Sequence, residues 1–218
     1  MNGRPLDLTI EDSLADAILE VWYPGTSGGL GVADILFGKY NPSAKLPITF
    51  PRNLGQVPIY YNQKNTGRPI SKENPTEDYK SNYIDSPNTP LYPFGHGLSY
   101  TTFKYSEIKL SSDKIKEIET LKASSTITNT GDFDGHEVVQ LYIRDKVGSI
   151  TRPIKELKGF KKIFLKKGES KTVVFEISTE DLKFYNNGKL ILESGEFEIA
   201  ISPSSDFEFN KLFNLILN

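Results

Sequence analysis

Between residues 121 and 201 the chain alternates apolar and polar positions again and again with period two. Leu121, Ala123, Ser125 and Ile127 share one phase, as do Val139, Leu141 and Ile143. Val173, Phe175 and Ile177 repeat the pattern, and Phe197, Ile199 and Ile201 follow it. Period two puts alternate side chains on one face, so each run predicts a half-buried β-strand. Asn129-Thr-Gly131, Lys166-Lys-Gly168, Asn187-Gly188 and Ser194-Gly195 separate the runs as turns. About seven short strands in about 110 residues predict an antiparallel two-sheet sandwich over residues 99–218.

Residues 1–98 follow a different pattern. Asn2-Gly-Arg-Pro5 is a turn signal with only Met1 before it, so the chain is expected to begin inside a larger body. Leu6 and Leu8 alternate into an edge-like run, and Glu11–Ala17 predicts a short helix with acidic residues in its first turn. Ile18–Tyr23 reads as a short buried strand stopped by Pro24-Gly25. Val32, Ile35 and Leu36 then fall on one helical face, with Gly38 as the C-terminal cap. Lys45–Pro51 is extended, and its two prolines exclude a central strand position unless their missing donors face outward. Residues 52–90 form a long polar loop. Its scattered Tyr60, Tyr61, Tyr79 and Tyr83 predict that it is ordered over a surface, and Asn65–Pro69 reads as a tight turn presenting Arg68.

Leu91-Tyr-Pro-Phe-Gly-His-Gly-Leu-Ser-Tyr-Thr-Thr-Phe103 joins the two patterns. Pro93, Gly95 and Gly97 forbid a regular helix, while Tyr92, Phe94, Leu98, Tyr100 and Phe103 give it a large apolar surface. A rigid and sticky segment of this kind predicts a joint between two packed bodies.

The composition, 37% hydrophobic and 25% charged, is that of an ordinary globular protein. Residues 1–98 hold 8 basic against 10 acidic side chains and residues 99–218 hold 18 of each, so neither half offers a field for nucleic acid or acidic lipid. No apolar run approaches the roughly 20 residues of a membrane-spanning helix. No apolar segment of a secretory leader follows Met1, and the compartment stays open. The absence of cysteine excludes disulfides and thiolate metal sites. The two sheets must therefore be held by their interdigitated apolar faces, which favours a fibronectin-type over an immunoglobulin-type sandwich.

Three stretches carry a family resemblance. The first runs from Tyr23-Pro-Gly through Ala33-Asp-Ile-Leu-Phe-Gly-Lys-Tyr-Asn-Pro-Ser-Ala-Lys-Leu-Pro-Ile-Thr-Phe-Pro51. The second is Leu91-Tyr-Pro-Phe-Gly-His-Gly-Leu-Ser-Tyr-Thr102. The third joins Thr128-Asn-Thr-Gly131, Val138-Val-Gln-Leu-Tyr142, Arg152-Pro153, Leu157-Lys-Gly-Phe160 and Gly168-Glu169. In this order they resemble the C-terminal part of family 3 glycoside hydrolases of the bacterial β-glucosidase type. The resemblance implies a mainly β chain: residues 1–60 as the end of an α/β sandwich domain, 61–98 as connecting loop and joint, and 99–218 as a fibronectin type III-like domain. It also implies that the barrel carrying the nucleophilic Asp, and most of the α/β domain, lie outside this sequence. Retaining hydrolysis needs two carboxyl groups about 5–5.5 Å apart across the scissile bond. The chain is thus expected to be structural and non-catalytic alone, with no cofactor, and to meet a β-glucoside or oligosaccharide only within the full-length enzyme. Relatives of that length are often periplasmic or secreted. The alternative is a stand-alone binding or interaction module. Thr26-Ser-Gly-Gly29 departs from the family by lacking its frequent acidic residue at position 27, and Ala44 stands where Gly is common.

Few side chains invite chemistry. The glycines at 28, 29 and 31 lack both the P-loop Lys-Ser/Thr and the GxGxxG spacing. His96 and His136 sit in different bodies without metal-ligand spacing and read as packing residues. Glu11-Asp12 and Glu180-Asp181 fit helix N-termini. Trp22, inside an expected strand, reads as buried. Arg68, Tyr60 and Tyr61 are the candidates for a substrate rim, because long ordered loops often carry function. An α/β body without its remaining sheet is further expected to expose apolar surface and to self-associate.

Overall fold

The alternating half folds into two sheets packed face to face. The computed structural model describes residues 1–70 and 78–217. Its strands are β1 (Phe103–Tyr105), β2 (Lys109–Leu110), β3 (Lys114–Lys116), β4 (Leu121–Asn129), β5 (Gly135–Asp145), β6 (Glu156–Leu165), β7 (Ser170–Ile177), β8 (Phe184–Asn186), β9 (Lys189–Ile191), β10 (Gly195–Ser202) and β11 (Lys211–Ile216). In the first sheet β4 is central. β7 pairs along one edge, while β1 and β2 share the other. The second sheet runs β3-β11-β10-β5-β6, antiparallel except for the parallel β3–β11 pair.

The four alternating runs are the inner faces of β4, β5, β7 and β10. Leu121, Ala123 and Ile127 meet Val139, Leu141, Ile143, Val173, Phe175, Ile177, Phe197, Ile199 and Ile201 in one core, joined by Phe213 and Leu215. Burying each large apolar side chain contributes about 1.5–3 kcal/mol, which replaces the missing disulfide as the bond between sheets. Asn187 and Gly188, at φ 49° and 75°, make the tight β8–β9 turn. β6 and β11 are not among the alternating runs. In β6 the register shifts opposite Leu141 and Tyr142, so its apolar positions change phase partway along the strand.

The N-terminal half contains two α-helices, α1 (Thr9–Leu14) and α2 (Gly28–Leu36), and no strand within residues 1–60. Glu11 and Asp12 fall in the first turn of α1, as expected, but the helix starts at Thr9 and stops at Leu14, short of the expected Ala17, because the backbone turns extended at Ala15. Gly38, at φ 72°, donates to the Ile35 carbonyl at 2.9 Å and ends α2. Two expectations fail. The edge-like run at Leu6–Leu8 and the buried strand at Ile18–Tyr23 are irregular, and Ile18 and Tyr23 are 40% and 79% exposed. A strand exists only against a neighbour that takes its backbone groups. No described segment pairs with this run, and the Trp22 N–H turns to the Glu20 carboxylate at 2.8 Å. Trp22 is half-buried, its ring tilted against Phe50 at 5.8 Å.

The joint is an irregular ribbon. Leu46 donates to the His96 carbonyl at 2.7 Å, Gly95 to Leu46 at 2.8 Å, and Phe50 to Tyr92 at 2.9 Å. The ribbon lies on the outer face of β5. Gln140 Nε2 donates to the Gly95 carbonyl at 3.2 Å and to Pro203 at 2.6 Å, while Ser205 N–H reaches the Phe94 carbonyl at 2.9 Å. Tyr142 packs there against Phe207 at 4.9 Å. Asn41 closes the contact, donating to the Asp134 carbonyl at 2.9 Å and accepting from Ser99 Oγ and Tyr100 N–H. With the core on one side and the joint on the other, residues 139–143 are all buried.

Gly95 sits at φ 78°, and a Cβ there would overlap the Gln140 side chain; at Gly97 it would overlap the Ala44 carbonyl. Gly97→Ala is therefore expected to destabilise the protein by about 1–3 kcal/mol, the usual cost of forcing extra volume into packed structure. Urea unfolding measures the shift, and an unchanged midpoint would refute the close approach.

Candidate functional site

Two features stand out as possible sites: the loop that leaves the N-terminal body at Tyr60, and a buried ionic cluster beneath the joint. The loop begins with two tyrosines in opposite environments. Tyr60 is 62% exposed. Tyr61 turns inward, stacks on Phe94 at 4.2 Å with a 17° interplanar angle, and meets the edge of Tyr142 at 6.1 Å. Its hydroxyl accepts from Leu157 N–H at 3.3 Å. Farther along, the Gln63 carbonyl accepts from Ile154 N–H at 2.9 Å, and Lys64 bridges Pro153. The outgoing limb thus rests on the loop between β5 and β6.

Arg68 lies exposed on the following bend, where its carbonyl accepts from Ser81 N–H at 2.8 Å and Pro69 bridges Ser81. Residues 71–77 of the expected ordered loop lie outside the described residues. The returning limb is tied by Asn88, which donates to the Ser81 carbonyl at 2.8 Å and accepts from Tyr83 N–H. Gln56 anchors its base. Buried to 1% exposure, it donates to the Pro87 and Thr89 carbonyls and accepts from Arg52 N–H. Nothing in the local pattern around Gln56 signals this role, because the two carbonyls that its amide reaches are 31 and 33 residues away.

The ionic cluster joins both bodies. Glu137 occupies the inward phase of β5, two residues before Val139, and is 3% exposed. Tyr105 of β1 donates to its Oε1 at 2.9 Å. Lys45 stands 3.3 Å away with its side chain only 13% exposed, and donates to the Gly97 carbonyl at 2.8 Å. Burial pushes the Glu137 carboxyl above its usual range, opposed by Lys45 and the Tyr105 hydroxyl. A carboxylate sealed at the end of a core and held by two donors is suited to fastening the joint. A charged residue in the apolar phase of an alternating strand is the signal that could have revealed it.

The remaining candidates are placed as packing residues. His96 stacks on Tyr92 at 5.3 Å, and burial lowers its pKa, with Lys45 adding to the effect. His136 tilts against Phe164 at 5.0 Å. Asp181 caps its own short turn by accepting from Ser178 N–H and Oγ, both at 2.8 Å. Among the described residues no group of three or more His, Cys, Asp or Glu side chains is arranged to hold a metal ion.

The chain thus combines a fibronectin-like sandwich with a helical segment, held together by a glycine-rich joint, and carries a long aromatic loop ahead of that joint. Residues 1–100 match the glycosyl hydrolase family 3 C-terminal domain, and residues 137–205 match the fibronectin type III-like domain. The chain belongs to glycoside hydrolase family 3. It is 54% identical over 206 residues to the periplasmic beta-glucosidase of Salmonella typhimurium, covering 94% of this chain and 27% of that protein. A beta-xylosidase of Formosa agariphila is 42% identical over 216 residues, covering 99% of this chain and 29% of the relative. The crystal structure of a beta-glucosidase from Listeria innocua in complex with isofagomine superposes with a TM-score of 0.90 at 44% identity, over 99% of this chain and 30% of that one. The chain therefore spans between a quarter and a third of the length of these relatives.

Breaking the buried pair from one side leaves an uncompensated charge. Lys45→Met is expected to destabilise by about 3–5 kcal/mol, and adding Glu137→Gln to recover most of that loss, as a double-mutant cycle in urea would show. Because the folded-state pKa of Glu137 is raised, its contribution is full below the unfolded carboxylate pKa and is lost as pH rises through the folded value. Glu137→Gln is expected to remove that decline from the profile of stability against pH.

Proposed function

We propose that this chain is the structural, non-catalytic C-terminal part of an enzyme that hydrolyses O-glycosyl bonds of β-glucosides. The observation that carries the reading is the likeness, over 94% of the chain, to the Salmonella periplasmic beta-glucosidase. In this reading residues 1–60 complete an α/β body, residues 61–98 form the connecting loop and joint, and residues 99–218 brace both. Both carboxyl groups of a retaining mechanism would come from the remainder of the enzyme.

The loop supplies a rim for the sugar. Arg68 offers a planar fork of donors to sugar hydroxyls, and the exposed ring of Tyr60 offers an apolar face. Tyr61 serves the rim from beneath, through its stacking on Phe94. The partner is a β-glucoside or an oligosaccharide in the context of the full-length enzyme.

Residues 1–60 also present apolar surface for cover: Ile10, Leu14, Leu30, Leu36 and Phe37 are each between 66% and 88% exposed. Left without cover, such a surface favours association.

The isolated chain is expected to give no turnover of aryl β-glucosides above background; measurable hydrolysis would overturn the non-catalytic reading. In the full-length enzyme Arg68→Ala is expected to raise KM for an oligosaccharide several-fold with kcat unchanged. Unaltered KM and turnover would remove Arg68 from the rim. Sedimentation of the isolated chain is expected to show dimers or larger species that Phe37→Ser reduces, whereas a monodisperse monomer would refute the association.

A further inference from the structure

The outgoing limb of the rim loop meets the sandwich at residues 153, 154 and 157, where Pro153 bridges Lys64, Ile154 N–H reaches the Gln63 carbonyl, and Leu157 N–H reaches the Tyr61 hydroxyl. Immediately before them stands Arg152, whose side chain is 11% exposed. Its Nη2 donates to Glu156 Oε2 at 2.9 Å, its Nε lies 3.5 Å from Asp145 Oδ2, and its guanidinium carbon stands 4.2 Å from the centre of the Phe184 ring. Asp145 is the last residue of β5 and Glu156 the first of β6. One planar cation therefore spans both strand ends.

The intervening loop is shaped around that cation. At Gly148 a Cβ would lie 3.0 Å from Arg152 Cγ and 3.2 Å from Asp145 Oδ2, so a side chain there would crowd the arginine stem. Asp145 Oδ1 also accepts from Val147 N–H at 3.2 Å, and Glu193 accepts from Ser149 N–H at 2.8 Å. A loop held at these points presents Pro153 and Ile154 in a single register.

We propose that Arg152 is a positioning residue for the substrate rim. By clamping the ends of β5 and β6 it fixes the backbone of Pro153 and Ile154, and through them the placement of Gln63, Lys64 and the bend that carries Arg68. The proposal rests on the reading of Arg68 as a rim residue. Lysine cannot substitute, because a compact ammonium cannot at once donate to Glu156, neutralise Asp145 from a separate nitrogen and lay a flat cation over a ring.

Arg152→Lys keeps the charge and tests the geometry. Amide hydrogen exchange in the chain is expected to quicken about tenfold at Ile154 and Leu157, as local opening becomes easier, with Val139, Leu141 and Ile199 unchanged. Trypsin is expected to cut faster after Lys64. In the full-length enzyme KM for a β-linked disaccharide is expected to rise with kcat unchanged, as for Arg68→Ala. Glu156→Gln weakens the same clamp while Asp145 still neutralises the arginine, and is expected to move the same two amides by a smaller factor. Unchanged exchange at Ile154 in both variants would overturn the proposal. Equal acceleration throughout the core would also overturn it, since Arg152 would then be a general stabiliser. If Ile154 loosens while Arg68→Ala leaves KM untouched, the rim reading fails and the clamp remains.

Discussion

The seating of the joint on the outer face of β5 is the constraint on which the rest of the structure depends. A strand of a two-sheet sandwich ordinarily gives one face to the core and the other to water. Here the outward Gln140 and Tyr142 are buried as well, because Gly95, Phe94, Tyr61 and Phe207 cover them. Gln140 resolves the polar cost of that burial: its amide donates to two carbonyls, and its oxygen accepts from the Tyr142 hydroxyl. Buried polar groups satisfied in this way give one arrangement of the two bodies in place of a loose apolar contact.

The same strand carries a charged residue at each end of its inward phase. Glu137 faces Lys45 near the joint, and Asp145 faces Arg152 at the opposite end. Buried ion pairs add little net stability compared with apolar residues of equal volume, and their better-attested use is to specify register. Their position fits that role. One fastens residues 45 and 97 to the sandwich, and the other fastens the β5–β6 connection against which Gln63 and Lys64 rest.

The sandwich was legible because period two survives in β4, β5, β7 and β10, where one face meets only the core. β6 escaped because its phase changes at a register shift, which no single-strand pattern can show. The strand expected at Ile18–Tyr23 failed for the converse reason: its apolar run is genuine, but pairing depends on a neighbour that composition cannot supply. The joint was readable from its glycines and aromatics. The loop was readable as a loop, and Tyr60 and Arg68 lie exposed along it. The inward turn of Tyr61 and the anchoring by Gln56 and Arg152 were not legible, because each depends on partners distant in sequence or in another element.

The parallel pairing of β3 with β11 joins Lys114 to Asn214, a hundred residues apart, and places β11 between β3 and β10. During synthesis on the ribosome, β3 emerges early but has no place in its sheet until β11 has followed it out and settled beside β10. Such a closure is slow, since the ends of a long intervening chain must meet before any contact rewards them. In the interval the apolar side chains of β10 and β5 stand partly uncovered. The nascent chain is then open to the contacts that lead to aggregation, and it is in this period that a chaperone would find it.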